Sequence, residues 1–218
     1  LIDNDLASSA RRPIDFAALS GVAATIGLHL FFQRSGPNPA FIAAVCAGWI
    51  GYVAWQAWRD RSRIRWWGFR RDNLAAASLR PVLILGSLGN AMAAYAIWQG
   101  HFTFPPSNLV LFLLYPVWGI AQQFLALGIV TRSLEQVDWI RGRPIAIALL
   151  VATLFGSVHW PDIGAMVATF GLGLVVVMLY FQHRNLWPLG LMHGWLGAMF
   201  YLWVLDRDLF AENFKPGF

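Results

Sequence analysis

Four residues in the C-terminal half of this 218-residue chain could do chemistry together: Gln122, Gln123, His159 and His193. Imidazoles exchange protons near neutral pH, and an amide offers both a donor and an acceptor, so the set can orient a water or a carbonyl. A glutamine cannot accept a proton at physiological pH, so only the histidines of the set could serve as the general base that hydrolysis calls for. Each lies in or at the end of an apolar stretch: Tyr115–Gly128 around the glutamines, Phe155–His159, and Leu186–Gly197. Polar side chains at membrane depth are costly and usually face a bundle interior, so three positions on three helices are expected to converge on one cavity.

The elements that carry them are set by composition. The chain is 58% hydrophobic and 12% charged, with mean hydropathy +0.54, which excludes an ordinary soluble domain. Seven apolar runs approach the ~20 residues that cross a hydrocarbon core. They are Ile14–Phe32, Pro39–Trp58, Leu79–Trp98, Ser107–Thr131, Pro144–Val158, Asp162–Phe181 and Leu186–Leu205. The fifth is short and is expected to be tilted, re-entrant or half-buried. Backbone groups in lipid must pair within their own segment, so the runs are helices. The expectation is one all-α polytopic membrane domain over 1–218 with about seven transmembrane helices.

Net charge is +5, yet its distribution argues for topology and against nucleic acid as a partner. Arg59, Arg61, Arg63, Arg65, Arg70, Arg71 and Arg80 gather around the second-to-third connection. Arg11, Arg12, Arg132, Arg141, Arg143 and Arg184 fall on the same side, against Arg34, Arg207 and Lys215 opposite. The positive-inside rule then puts the N-terminus in the cytoplasm and the C-terminus outside, in a bacterial inner membrane. Residues 1–13 read as a cytoplasmic tail and 59–78 as a basic cytoplasmic loop with interfacial Trp66, Trp67 and Phe69; a lipid-headgroup or RNA-binding patch is the sharper reading of that loop. Arg11 and Arg12 ahead of the first run suit a retained anchor better than a cleaved signal peptide.

Cys46 is the only cysteine, so neither a disulfide framework nor a thiolate metal site is expected. Asp162, three residues after His159, reads first as a cap of the next helix and second as a partner for that histidine. Gly190 and Gly194 form a Gly-x-x-x-Gly that permits close helix packing. His29, His159 and His193 allow ligation of a haem or chlorophyll, although bonding to a carbonyl or to glutamine is the plainer reading. Membrane lipids and other integral membrane proteins of a larger complex are the expected partners. No metal or other cofactor is expected.

The order and spacing of these motifs resemble the CAAX protease and bacteriocin-processing family, also called CPBP or Abi. Its pattern is a proline, Glu-Glu-x-x-x-Arg and glycine, then Phe-x-x-x-His, then His-x-x-x-Asn or Asp. The matching stretch runs from Pro116 to Gly197 and closes with Leu186-Trp-Pro-Leu-Gly-Leu-Met-His193. The resemblance implies a CPBP-like core over 107–205. It places Gln122 and Gln123 at the glutamate positions, Leu127 at the arginine, His159 and His193 at the histidines, and Gly197 at the asparagine. In such a family the first glutamate and first histidine would activate water, while the second histidine and the asparagine would hold the oxyanion.

The departures bear on activity. Losing a general base typically lowers rate by ~10²–10⁴ and losing an oxyanion donor by a further ~10²–10³. The two glutamates of the chain, Glu135 and Glu212, fall outside the spans. A catalytically degenerate member that binds other membrane proteins, lipid or pigment is therefore expected. The alternative is a working intramembrane endopeptidase using His159 and His193. Straight spans raise a difficulty of depth: at ~1.5 Å per residue His193 and Gln122 lie roughly 10 Å from the cytoplasmic side, His159 roughly 22 Å.

Overall fold

The computed structural model describes residues 12–33, 39–208 and 210. Arg11, Arg34, Glu212, Lys215 and most of the expected tail over 1–13 lie outside the described residues. Among the described residues every regular element is helical, as the composition requires. The eight continuous helices are α1 (Phe16–Gln33), α2 (Pro39–Arg59), α3 (Arg61–Trp67), α4 (Leu74–Trp98), α5, α6 (Pro144–Ser157), α7 (Ile163–His183) and α8. Helix α5 starts as Ser107–Gln123, continues as a π-helix over Phe124–Thr131 and closes in an α-turn at Arg132–Leu134. Helix α8 comprises Trp187–Met199 and a π-helical end at Phe200–Val204.

All seven apolar runs are thus helices. Pro39–Arg59, Leu74–Trp98, Asn108–Leu134 and Ile163–His183 are long and apolar enough to cross a membrane; Phe16–Phe32 and Pro144–Ser157 are shorter apolar helices. The protein is a polytopic, all-α membrane protein.

Small residues decide how α5 and α8 meet. A Cβ on Gly119 would lie 2.5 Å from the Gly190 carbonyl oxygen, and one on Gly194 would lie 2.5 Å from Pro116 Cα. Both contacts are with backbone, so the two helices cross with no room for a methyl group. Pro116 sits inside α5 and has no N–H to give to the carbonyl of Phe112, one turn earlier. Trp195 of α8 supplies the missing donor, its Nε1 reaching Phe112 O at 3.0 Å. Half-buried Trp195 therefore completes the hydrogen bonding of a neighbouring helix as well as packing there.

The arginine-rich end is closed by the segment between α2 and α4. Asp60 caps α3 by accepting from Ser62 N, and Gly68 ends it at φ 103°, where a Cβ would meet the Tyr180 ring at 2.9 Å. The Gly68 carbonyl accepts from Leu186 N at 2.8 Å, and the Trp67 carbonyl from Tyr180 OH at 2.8 Å. Asn185 Nδ2 donates to Arg70 O and Asn73 Oδ1. Trp67, buried at 2% exposure, stacks edge-on against Phe124 at the start of the π-helical stretch. The basic loop is therefore a folded plug. Arg12 of the N-terminal tail pairs with Asp60 and Arg70 with Asp72, while Glu135 lies between Arg132 and Arg184.

At the opposite end His101 Nε2 bonds the Trp203 carbonyl at 3.0 Å, and Trp203 Nε1 donates to Thr103 O. These bonds fix the α4–α5 connection against the end of α8. Nothing in the spacing around His101 signals this role, because its partner lies 102 residues away.

Candidate functional site

The α5–α8 crossing sets the first half of the site. Gln122 lies one turn beyond Gly119, and His193 lies between Gly190 and Gly194, so close backbone approach brings the two side chains together. His193 Nε2 bonds Gln122 Oε1 at 2.9 Å. An amide oxygen only accepts, so His193 donates through Nε2–H and its Nδ1 is the bare nitrogen. That Nδ1 is buried without a protein partner.

Gln123 does not join them. One residue along an α-helix turns the side chain by about 100°, and Gln123 faces the protein interior at 1% exposure with Nε2 unpartnered. The four predicted residues therefore divide into three that share a cavity and one that does not. Leu127, at the family's arginine position, is 0% exposed in an apolar cluster with Ile140, Ile147 and Tyr180.

The short α6 sets the other half. Phe155 stacks edge-on with His193 at 5.1 Å and with His159 at 5.5 Å between ring centroids. Those two contacts end to end limit the imidazole centroids to at most about 10.6 Å apart. The depth difficulty of straight spans is thereby met, since a single ring bridges the two histidines. His159 Nδ1 lies 2.9 Å from the Phe155 carbonyl and 3.2 Å from Thr169 Oγ1. Thr169 gives its own hydrogen to Ala165 O at 2.6 Å. The proton of His159 accordingly sits on Nδ1, and Nε2 carries the lone pair.

Asp162 is no partner of that ring. It caps α7, accepting from Ala165 N at 2.9 Å, with Arg207 at 3.8 Å on its other oxygen. Gly197 faces Tyr115, whose Cε1 lies 3.0 Å from where a Cβ would stand. The tyrosine ring fills the space that an asparagine at 197 would enter.

Gln122, His159, His193, His29, Tyr115 and Gly197 line one cavity of about 1240 Å³. It reaches the end away from the arginine-rich loop at Pro161, Asp162 and Arg207. His29 rests on the Phe41 ring at 6.3 Å. His29, His159 and His193 thus share the cavity, but among the described residues no three His, Cys, Asp or Glu side chains are gathered to hold a metal ion. Cys46 is a free thiol on α2. Glu135 lies with Arg132 and Arg184 at the arginine-rich end and takes no part in the cavity.

The arrangement can hold and orient a polar group by hydrogen bonds. Its amide cannot replace a carboxylate as a proton acceptor, and the acid at its mouth is engaged in capping a helix.

Residues 104–199 match the model of a family described as type II CAAX prenyl endopeptidase Rce1-like. The CPBP-type resemblance read from the motifs is borne out over that segment, which holds the glutamines, both histidines and Gly197. Neither the curated proteins nor the solved structures give a match.

Proposed function

We propose that this protein is a catalytically degenerate relative of the CAAX endopeptidases, retaining their intramembrane cavity as a binding site for other membrane components. The observation that carries this reading is the 2.9 Å bond between Gln122 Oε1 and His193 Nε2. A carboxylate there would be the base; the amide is a neutral strut that holds the imidazole in one tautomer. The arginine and asparagine positions support the same conclusion, since Leu127 is packed in apolar core and Gly197 against Tyr115. The ligands are lipid, pigment or the helices of a partner membrane protein. The arginine-rich end faces the bacterial cytoplasm in this reading, and the open end of the cavity faces outwards.

The direct test is incubation of the purified protein with candidate membrane-protein substrates, with His159→Ala as control. No cleavage above the control is expected. Histidine-dependent cleavage would sink the reading and favour the second one, an endopeptidase in which His159 Nε2 draws a proton from glutamine-oriented water. The bare Nε2 facing the cavity is the observation that favours that alternative.

A further inference from the structure

Among the polar groups that line the cavity, Gln122 and His159 offer unlike hydrogen-bonding atoms. Gln122 commits its amide oxygen to His193, which leaves its NH₂ group as the donor available to the cavity. His159 commits Nδ1–H to Phe155 and Thr169, which leaves Nε2 as an acceptor. Neither group carries formal charge in these bonding states. A neutral hydroxyl answers both: its oxygen accepts from Gln122 and its hydrogen goes to His159. A carboxylate has no hydrogen for His159, and the guanidinium that lines the cavity, Arg207, stands at its end beside Asp162. A hydrocarbon satisfies neither group.

The walls show where an attached chain would run. Leu83 and Leu88 of α4, and Val167 and Val175 of α7, line the cavity and are 60%, 42%, 67% and 42% exposed. The same side chains thus border both the interior space and the outer surface of the bundle. Gly171 lies between Val167 and Val175 at four-residue spacing, on one face of α7. A Cβ there would meet nothing within 4 Å. An apolar slot between α4 and α7 therefore joins the polar floor of the cavity to the surrounding lipid.

We propose that this cavity binds a neutral long-chain lipid alcohol, with its hydroxyl between Gln122 and His159 and its chain leaving through the α4–α7 slot. The inference deepens the binding reading above and rests on it.

The test uses the full chain in detergent micelles with tritiated 1-hexadecanol, hexadecane and palmitate as probes. Hexadecanol should saturate at one per chain and bind at least about tenfold more tightly than the other two, the worth of one or two hydrogen bonds. Gln122→Leu and His159→Leu should each weaken hexadecanol about tenfold and leave hexadecane unchanged. Gly171→Trp, which fills open space, should abolish hexadecanol binding without lowering the melting temperature. Equal binding of hexadecanol and hexadecane would overturn the proposal, as would unaltered hexadecanol affinity in the polar variants. Should those variants fail to fold, hexadecanol binding retained by Gly171→Trp overturns it. The peptidase assay on the same preparations separates the two readings: histidine-dependent cleavage removes the non-proteolytic function, whereas loss of probe discrimination removes only the alcohol site.

Discussion

Gly194→Ala should open the α5–α8 crossing and with it the floor of the cavity. The added Cβ would stand 2.5 Å from Pro116 Cα, 2.8 Å from Pro116 N and 2.8 Å from Tyr115 O. All three are backbone atoms, so no side chain can swing aside. Carbon atoms pack at about 3.5–4.0 Å, so α8 must move away from α5 by about 1 Å or more. The 2.9 Å bond from His193 to Gln122 spans the same crossing. A shift of that size takes it to about 3.9 Å, beyond hydrogen-bonding range. Overpacking costs about 1–3 kcal/mol and the lost bond about 1 kcal/mol, together roughly 2–4 kcal/mol. For a chain of this length each kcal/mol moves the melting temperature by about 2–4 °C, so a fall of roughly 4–16 °C is expected.

The assay is thermal melting in detergent, read as the folded fraction by size-exclusion chromatography, with Gly171→Ala as the matched control. Its Cβ meets nothing within 4 Å, and alanine is the better helix former, so its midpoint should hold or rise slightly. Nitrogen-15 histidine spectra supply an independent measure, since the Nε2–H resonance of His193 should lose its hydrogen-bonded shift only in Gly194→Ala. A midpoint within about 2 °C of the parent, together with an unchanged His193 spectrum, would refute the close crossing as the device that joins Gln122 to His193.

The two glutamines should respond differently to restored acids. Gln122→Glu keeps an acceptor for His193 and should be tolerated, whereas Gln123→Glu buries a carboxyl without a partner and should cost about 1–3 kcal/mol by melting; equal effects would contradict their opposite placement. Gly197→Asn should destabilise alone and be partly rescued by Tyr115→Ala, giving a coupling of about 1 kcal/mol or more in a double-mutant cycle. Trp195→Phe should cost about 1–3 kcal/mol, because the Phe112 carbonyl beneath Pro116 then has no donor; a melting temperature equal to the parent's counts against that bond. At the arginine-rich end the Ser62 hydrogen bonds, then Arg12, hold the Asp60 carboxyl at about 2, below its ordinary 3.8. A lowered carboxylate stabilises the fold above its unfolded value and loses that effect as pH falls through the folded one. The stability difference between the parent and Asp60→Asn should therefore be constant above about pH 4 and vanish as pH falls towards 2, measured by acid titration of the melting temperature.

Much of the fold was legible because lipid leaves a chain few options. Seven apolar runs had to be helices, since backbone groups in hydrocarbon must pair within their own segment. The prolines at 39 and 144 marked helix starts for the same local reason. The cavity was legible only in part. Polar side chains in apolar helices announced that Gln122, His159 and His193 would turn inwards. Adjacent Gln123 carried the same signal, yet only the rotation of α5 against its neighbours decided that it points elsewhere.

Other features depended on partners far apart in the chain. Pro116 announces a carbonyl without its donor, but not that Trp195 supplies one. The arginines around Asp60 announce a charged loop, but not a folded segment whose Trp67 packs against Phe124. The sequence by itself determined that this is an all-helical membrane protein with glutamines where a protease-like motif carries glutamates, because composition and side-chain chemistry are local properties. Tertiary structure alone decided which of the retained residues meet. Gly119, Gly190 and Gly194 allow two backbones to touch, and that contact gives Gln122 to His193 and leaves His159 facing the cavity.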